Sequence, residues 1–144
     1  MEIRVLSSDD VQKALPMTEA IEGMKRAYSR LSSRRVEVPL RSSAHVPEQE
    51  GVLQTMPAAL PDDSEMAVKL VTVFGKNPAR GFPLIHAAVL VLDTENGQIK
   101  ALMDGEVLTT VRTGAGVGAA TELLASSDAV SVGIIGSGKQ ACSQ

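Results

Sequence analysis

An apolar run that leads directly into a glycine-rich turn is the feature that most constrains how this chain folds. The run Val130–Ile135 has the character of a buried parallel strand, and the turn Gly136-Ser137-Gly138-Lys139-Gln140-Ala141 follows it. In a dinucleotide-binding unit the first glycine makes the turn, the second lets the backbone approach a pyrophosphate, and a Gly or Ala three positions later lets helix pack on strand. Gly136, Gly138 and Ala141 match that spacing. We therefore predict the opening of such a unit, incomplete because only three residues follow Ala141.

The composition favours a globular protein without a nucleic-acid or membrane partner. The 144 residues are 44% hydrophobic, the formal net charge is -3, and aromatic residues make up 2%. This acidic, aromatic-poor balance lacks the basic patch and the stacking surfaces of nucleic-acid binders. No stretch approaches the ~18 apolar residues of a transmembrane helix, and the N-terminus does not have the pattern of a signal peptide. We therefore expect a cytoplasmic protein.

Periodicity predicts strands and helices along the first 128 residues. The most clearly patterned element is an amphipathic helix from Thr18 to about Ser33, in which apolar residues recur every three or four positions. A short helix is predicted over Val11–Leu15 with Ser7–Asp10 as N-cap candidates, and a small-residue helix over Thr113–Ala125, after a turn at Asp104-Gly105. The predicted strands are 1–6, 36–46 with a break at Pro39, 51–56, 66–74, 85–92, 98–103 and 130–135. A hairpin turn is expected at Asp93–Gly97, because Asn-Gly supplies positive φ.

Three basic side chains stand out as candidates for binding an anion. Lys69 interrupts an apolar run, so it either points into a polar cleft or lies on an edge strand and discourages sheet pairing; the sequence leaves both open. Arg112 is expected beside the start of the small-residue helix, where it suits a carboxylate or phosphate, although an ordinary surface role remains open. Arg41 follows Pro39-Leu40 in strand-like sequence, where most arginines are solvated, so its position alone is little evidence for a binding role. No metal site is expected, because neither His45 nor His86 has a partner at ligand spacing.

Taken together and in order, these segments resemble the ornithine cyclodeaminase/μ-crystallin family. The segments that carry the resemblance are Ala20–Met24, Val38–Arg41, the strand around Lys69, Asn77–Pro83, Ala101–Gly105, Leu108–Gly114 and Gly136–Ala141. The resemblance implies an α+β domain with a twisted mixed sheet at residues 1–128, which binds substrate and forms a homodimer. It also implies that residues 129–144 begin a Rossmann domain that binds NAD or NADP.

The resemblance further implies roles for individual residues and an activity. Arg41, Lys69 and Arg112 would bind the carboxylate of a small amino or imino acid, and Lys69 would also be catalytic. Gly136, Gly138, Lys139, Gln140 and Arg112 would bind the cofactor. The expected activity is cyclodeamination, alanine-type dehydrogenation or ketimine reduction by the full-length enzyme, with the 144-residue chain itself inactive. The alternative is a non-catalytic, ligand-binding or structural protein on the same scaffold.

Overall fold

The computed structural model describes residues 2–138 and 140–144, which form one mixed sheet and three α-helices. The strands are β1 (Arg4–Leu6), β2 (Ser42–Val46), β3 (Gly51–Leu60), β4 (Glu65–Phe74), β5 (Ile85–Asp93) and β6 (Ile99–Asp104), and the helices are α1 (Ser8–Ala14), α2 (Met17–Ser32) and α3 (Gly105–Leu124). Short 3-10 turns lie at Pro47–Gln49, Pro61–Asp63, Pro78–Arg80 and Ala141–Ser143. None of the helices formed by the described residues has the length and apolar character to cross a membrane. The predicted α+β class with a mixed sheet is confirmed.

The sheet has the strand order β1-β6-β5-β4-β3-β2. β1 runs parallel to β6, and every other neighbouring pair is antiparallel. The predicted hairpin turn is confirmed between β5 and β6: Gly97 has φ 74° and its N–H donates to the Asp93 carbonyl at 2.9 Å. β4, with Lys69 near its middle, therefore lies in the interior of the sheet.

The helices pack in layers against the sheet and against one another. The predicted amphipathic helix is confirmed as α2, and its apolar side contacts α3. This contact explains the small residues of α3, because a Cβ at Gly118 would lie 2.9 Å from Ile21 Cδ1 and one at Gly116 would lie 3.1 Å from Tyr28 Oη. Glycine at these positions therefore allows the two helices to approach closely, which offsets its low helix propensity. The predicted cap of α1 is also present, with Ser7 as the N-cap residue.

The start of the last helix was predicted wrongly, at Thr113 instead of Gly105. Asp104 and Gly105 do not form a separate turn, because the Asp104 carboxylate accepts a hydrogen bond from the Val107 N–H at 2.8 Å and caps α3. The β-branched residues from Thr109 to Val111 suggested extended structure. Capping and packing outweigh that weak preference, so the whole segment is helical.

Two strand predictions differ from the structure in the middle of the chain. Residues 36–41 form no strand apart from one bridge, in which Glu37 pairs with Ala59. β3 instead continues through Pro57 to Leu60. A proline is compatible with this strand because the pairing with β2 stops at Thr55 and the bridge to Glu37 is at Ala59, so among the described residues no ladder partner lies opposite Pro57 on this edge.

The predicted strand Val130–Ile135 is wrong for this structure. The segment forms no strand, and Val130 and Ile135 are fully exposed. A strand exists through hydrogen bonds to a neighbouring strand, and the described residues place none beside this segment. The proposed domain boundary after residue 128 stays a prediction.

Candidate functional site

An open cleft of about 820 Å³ lies between the sheet, the first half of α3 and the C-terminal segment. Its floor is formed by β4 and β5, and one wall by the loop that joins them. The lining comprises Lys69, Val71, Pro78, Phe82, Pro83, Leu84, Ile85, Ala87, Glu106, Thr109, Thr110, Ile134, Ile135, Gly136, Gly138, Gln140, Ala141 and Gln144. Most of these side chains are apolar, so the few polar groups can orient a ligand.

Lys69 lies on the floor of the cleft. It pairs with Met56 on β3 and with Val89 on β5, so the edge-strand interpretation is wrong. Its ammonium donates a hydrogen bond to Thr109 Oγ1 on α3 at 2.6 Å. The other interpretation, a lysine pointing into a polar cleft, matches its position. The charged group of β4 is thus held where the sheet and the helix meet.

The electrostatics around Lys69 favour an anionic ligand. Burial lowers the pKa of the Lys69 ammonium, and repulsion by the nearby Arg112 guanidinium lowers that pKa further. The described partner of Lys69 is a neutral hydroxyl, so its positive charge is not neutralised by that contact. An anion bound between the two cations would relieve both effects, and a carboxylate is the common biological form of such an anion.

Arg112 lies on α3, three residues after Thr109, so the two share one face of the helix. The prediction that it lies beside a helix N-terminus was wrong, because α3 begins at Gly105. Arg112 is exposed, and its charge acts on Lys69. The structure therefore brings these two predicted site residues together.

Arg41 precedes β2 and is exposed. β2 pairs Ser42 with Thr55, and Arg41 directly precedes this pair, whereas Lys69 pairs with Met56, the residue after Thr55. The backbones of β2 and β4 are two strand spacings apart, which is about 10 Å. Arg41 is not among the residues that line the cleft, so the structure does not bring it together with Lys69 there.

The glycine-rich turn lies at the opposite wall of the same cleft. Gly136, Gly138 and Gln140 all line it, and Gly136 has φ 111°, a conformation that favours glycine. A Cβ at Gly136 or Gly138 would meet nothing within 4 Å, so the backbone of this turn is open to a ligand. Lys139, also predicted to bind the cofactor, lies outside the described residues. A single 3-10 turn follows at Ala141–Ser143.

Sequence reasoning missed Thr109, Glu106 and Phe82 as parts of the cleft. Thr109 could have been found from a correct helix start, since it is then three residues from Arg112 on one helical face. Glu106 lies near His86, with 3.9 Å between Glu106 Oε1 and His86 Nδ1.

Among the described residues, no cluster of three or more histidine, cysteine, aspartate or glutamate side chains is assembled as for a metal ion.

The chain is similar to enzymes that use nicotinamide cofactors. It is 34% identical to a Delta(1)-pyrroline-2-carboxylate reductase of Bacillus cereus over 137 residues, which are 95% of this chain and 42% of that enzyme. The structure of the corresponding Thermococcus litoralis reductase, in complex with NADH and L-proline, superposes with a TM-score of 0.87 at 38% identity, over 98% of this chain and 44% of that one. An archaeal alanine dehydrogenase dimer with bound NAD gives a TM-score of 0.89 at 30% identity, over 99% of this chain and 43% of that one.

The match to a family extends over the whole sequence. This chain spans less than half the length of the relatives above. The model of the ornithine cyclodeaminase/mu-crystallin family nevertheless matches residues 1–144. The order of strands and helices, the cleft and the glycine-rich turn all lie within that match. The chain therefore belongs to the ornithine cyclodeaminase/mu-crystallin family.

Proposed function

We propose that this chain is the substrate-binding part of an NAD(P)-dependent oxidoreductase that acts on a small amino or imino acid. The observation that carries the proposal is the shared cleft, which has Lys69 on its floor and Gly136 and Gly138 at its wall. A charged group for the substrate and an open glycine backbone for the cofactor thus face the same space. Cyclodeamination, alanine-type dehydrogenation and ketimine reduction all need this arrangement.

Lys69 and Arg112 are proposed to bind the substrate carboxylate, with Arg41 joining them from the adjacent edge of the sheet. Two fixed cations orient a carboxylate and place its α-carbon at a reproducible position. The Lys69 ammonium is also proposed as the catalytic group, because a lysine with a lowered pKa can release and accept a proton near neutral pH more readily than an ordinary one.

The glycine-rich turn fits the cofactor proposed for this cleft. Gly136 and Gly138 leave open the space that a Cβ would occupy, and backbone amides without side chains can approach a pyrophosphate closely. Gln140 adds a polar side chain at the same wall. The nicotinamide, when bound, would supply or accept the hydride, and this chain would orient the substrate.

The walls of the cleft support a small substrate with an apolar body. Val71, Phe82, Leu84 and Ile85 line the cleft near Lys69. A carboxylate at the polar floor would place the remaining carbon atoms of the substrate against these side chains. Glu106 is an acidic residue that lines the same cleft.

Turnover of amino and keto acids tests the proposal directly. The full-length protein containing this chain should oxidise NADH or NADPH with a cyclic imine carboxylate or with pyruvate and ammonia, and should reduce NAD or NADP with L-proline or L-alanine. With L-ornithine it should release ammonia and form proline without net reduction of the cofactor. Absence of turnover across this panel would overturn the oxidoreductase assignment. Carboxylate binding without turnover would support the non-catalytic alternative instead.

Substitution of Lys69 by alanine separates a catalytic role from a structural one. The Lys69→Ala protein should keep its fold and lose turnover, whereas a structural lysine would change stability alone. Lys100→Met is a suitable control, since Lys100 is an exposed strand lysine whose ammonium contacts Asp93 at 2.6 Å. The proposal requires that Lys100→Met retain activity.

A homodimer is proposed through the side of the sheet that faces away from Lys69. Val5, Leu102, Leu90 and Val68 are paired across four adjacent strands and therefore share that side. Val5 is 69% exposed and Leu102 36% exposed, which leaves apolar surface for a second copy. Sedimentation equilibrium should show a dimer that Leu102→Glu dissociates, and a monomeric wild-type protein would refute it.

A further inference from the structure

A chain of two hydrogen bonds connects Lys69 to the backbone of α3 through Thr109. Lys69 Nζ is 2.6 Å from Thr109 Oγ1, and Thr109 Oγ1 is 2.5 Å from the carbonyl oxygen of Gly105. Gly105 packs directly on β5, since a Cβ at this position would lie 2.7 Å from the Ala87 carbonyl carbon. The lysine is thus connected to the part of α3 whose position is most strictly fixed by the sheet.

The direction of these two bonds follows from proton counting. A threonine hydroxyl has one proton, and the Gly105 carbonyl oxygen can only accept. The hydroxyl therefore donates to Gly105, and its lone pair faces Lys69 as an acceptor. The ammonium donates one proton to that lone pair and keeps two for a ligand in the cleft.

We propose that Thr109 is a positioning residue that holds the Lys69 ammonium in one orientation, charged and directed at the carboxylate of the bound substrate. This role rests on the proposed function of the cleft. Thr109 itself need not touch the substrate. It fixes the otherwise flexible lysine side chain, which has four methylene groups between its backbone and its charge.

The Thr109 hydroxyl, as a hydrogen-bond acceptor, also acts against the lowering of the Lys69 pKa by its surroundings. Burial and the Arg112 guanidinium lower the pKa of the ammonium, while an oxygen that accepts its hydrogen bond stabilises the charged form. Glu106 also lines this cleft, and His86 Nδ1 lies 3.9 Å from Glu106 Oε1. All of these stay in place when only the Thr109 hydroxyl is removed, so its contribution can be isolated.

Thr109→Val is the decisive variant, because valine keeps the shape of threonine and removes the hydroxyl. Thr109→Ser restores an acceptor and should restore the behaviour of Lys69. Thr113 offers a matched control on the same helix, since its hydroxyl donates to the Thr109 carbonyl at 2.6 Å in the same way. Thr113→Val therefore removes an equivalent bond within α3 without removing the acceptor of Lys69.

The pKa of Lys69 is measurable in the 144-residue chain by competitive labelling. Trace acetic anhydride is added across a pH series, and mass spectrometry quantifies acetylation of each lysine, with Lys76 and Lys100 as internal references. Thr109→Val should lower the apparent pKa of Lys69 by about half a unit or more, because an ammonium loses a hydrogen-bond acceptor. Thr109→Ser and Thr113→Val should leave it near the wild-type value. An unchanged pKa in Thr109→Val, or an equal fall in Thr113→Val, would overturn the inference.

The labelling experiment does not require turnover, so it distinguishes failure of the inference from failure of the proposed function. In the full-length protein, Thr109→Val should raise KM for the carboxylate substrate and shift the alkaline limb of the kcat/KM profile to lower pH. Wild-type turnover with an unshifted profile in Thr109→Val would reject the positioning role alone. Normal labelling results without any turnover would reject the oxidoreductase assignment alone.

Discussion

Replacing Gly105 by alanine is expected to destabilise the protein by displacing the start of α3 from the sheet. A Cβ at Gly105 would lie 2.7 Å from the carbonyl carbon of Ala87, 2.8 Å from Ala87 Cβ and 2.8 Å from the nitrogen of Ala88. Two of these three atoms belong to the backbone of β5. They cannot rotate away, so the helix or the strand has to move.

The size of the effect follows from the contact distances. Ordinary van der Waals contacts to a Cβ begin at 3.4 Å, so the closest atom is 3.4 − 2.7 = 0.7 Å too near. Overpacking of this kind costs about 1–3 kcal/mol, against a gain of at most about 1 kcal/mol from the better helix propensity of alanine. For a chain of this size the net loss lowers Tm by about 2–4 °C per kcal/mol. Thr109 follows one turn later, so its 2.6 Å contact with Lys69 should lengthen as well.

Gly23→Ala provides the matched control for this prediction. Gly23 also lies within a helix, but a Cβ added there would have Arg26 Nη2, at 4.0 Å, as its nearest neighbour. This substitution should therefore stabilise the protein by about 0.5–1 kcal/mol. Thermal and urea unfolding of both variants measure the difference. A Gly105→Ala protein as stable as the wild type, or a Gly23→Ala protein equally destabilised, would refute the reasoning.

Three further predictions concern caps, charge and exposed apolar surface. Asp104→Ala should lower the free energy of unfolding by about 1 kcal/mol, because it removes the N-cap of α3. Asp104→Ser keeps a capping oxygen and should therefore retain most of the wild-type stability. Equal melting temperatures of the two variants would contradict this prediction. The pKa of Lys69 is lower in the folded state than its ordinary value of 10.5, so between the two pKa values the unfolded chain binds more protons than the folded one. The stability of the wild type relative to Lys69→Met should therefore rise as the pH increases through that range. Urea unfolding of both proteins at pH 7 and pH 10 measures this difference in unfolding free energy, and a fall between the two pH values would contradict the lowered pKa of Lys69. Val130→Ser and Val132→Ser should reduce light scattering by aggregates without lowering Tm, since these side chains are 96% and 74% exposed, whereas Val89→Ser, at a buried position, should lower Tm.

Local patterns predicted those elements whose stability depends on their own residues and one packing face. The apolar spacing of α2 identified a helix because its apolar face packs against α3. Lys69 stood out because a charge in an apolar run needs a polar partner, and the Thr109 hydroxyl supplies it. The hairpin at Gly97 was predictable because its backbone conformation favours glycine.

Features that depend on distant parts of the chain were not predictable from local pattern. The segment around Thr109 is rich in β-branched residues, and its helix depends on the Asp104 cap and on packing against β5. The apolar run from Val130 satisfied the pattern of a strand, but strands need neighbours that no local pattern provides. The convergence of Lys69 and Gly136 on one cleft is likewise a property of the folded chain.

The proline in the third strand protects the sheet from unwanted association. Ala59 directs its N–H and its carbonyl outward to Glu37, both at 2.9 Å, so Pro57, two residues earlier, turns its nitrogen toward the same open border. An incoming strand would find no donor at Pro57 and both polar groups of Ala59 already occupied. Such a border resists the edge-to-edge growth that leads to fibrils. The sheet can therefore stop at this part of β3 without offering a complete edge to another polypeptide.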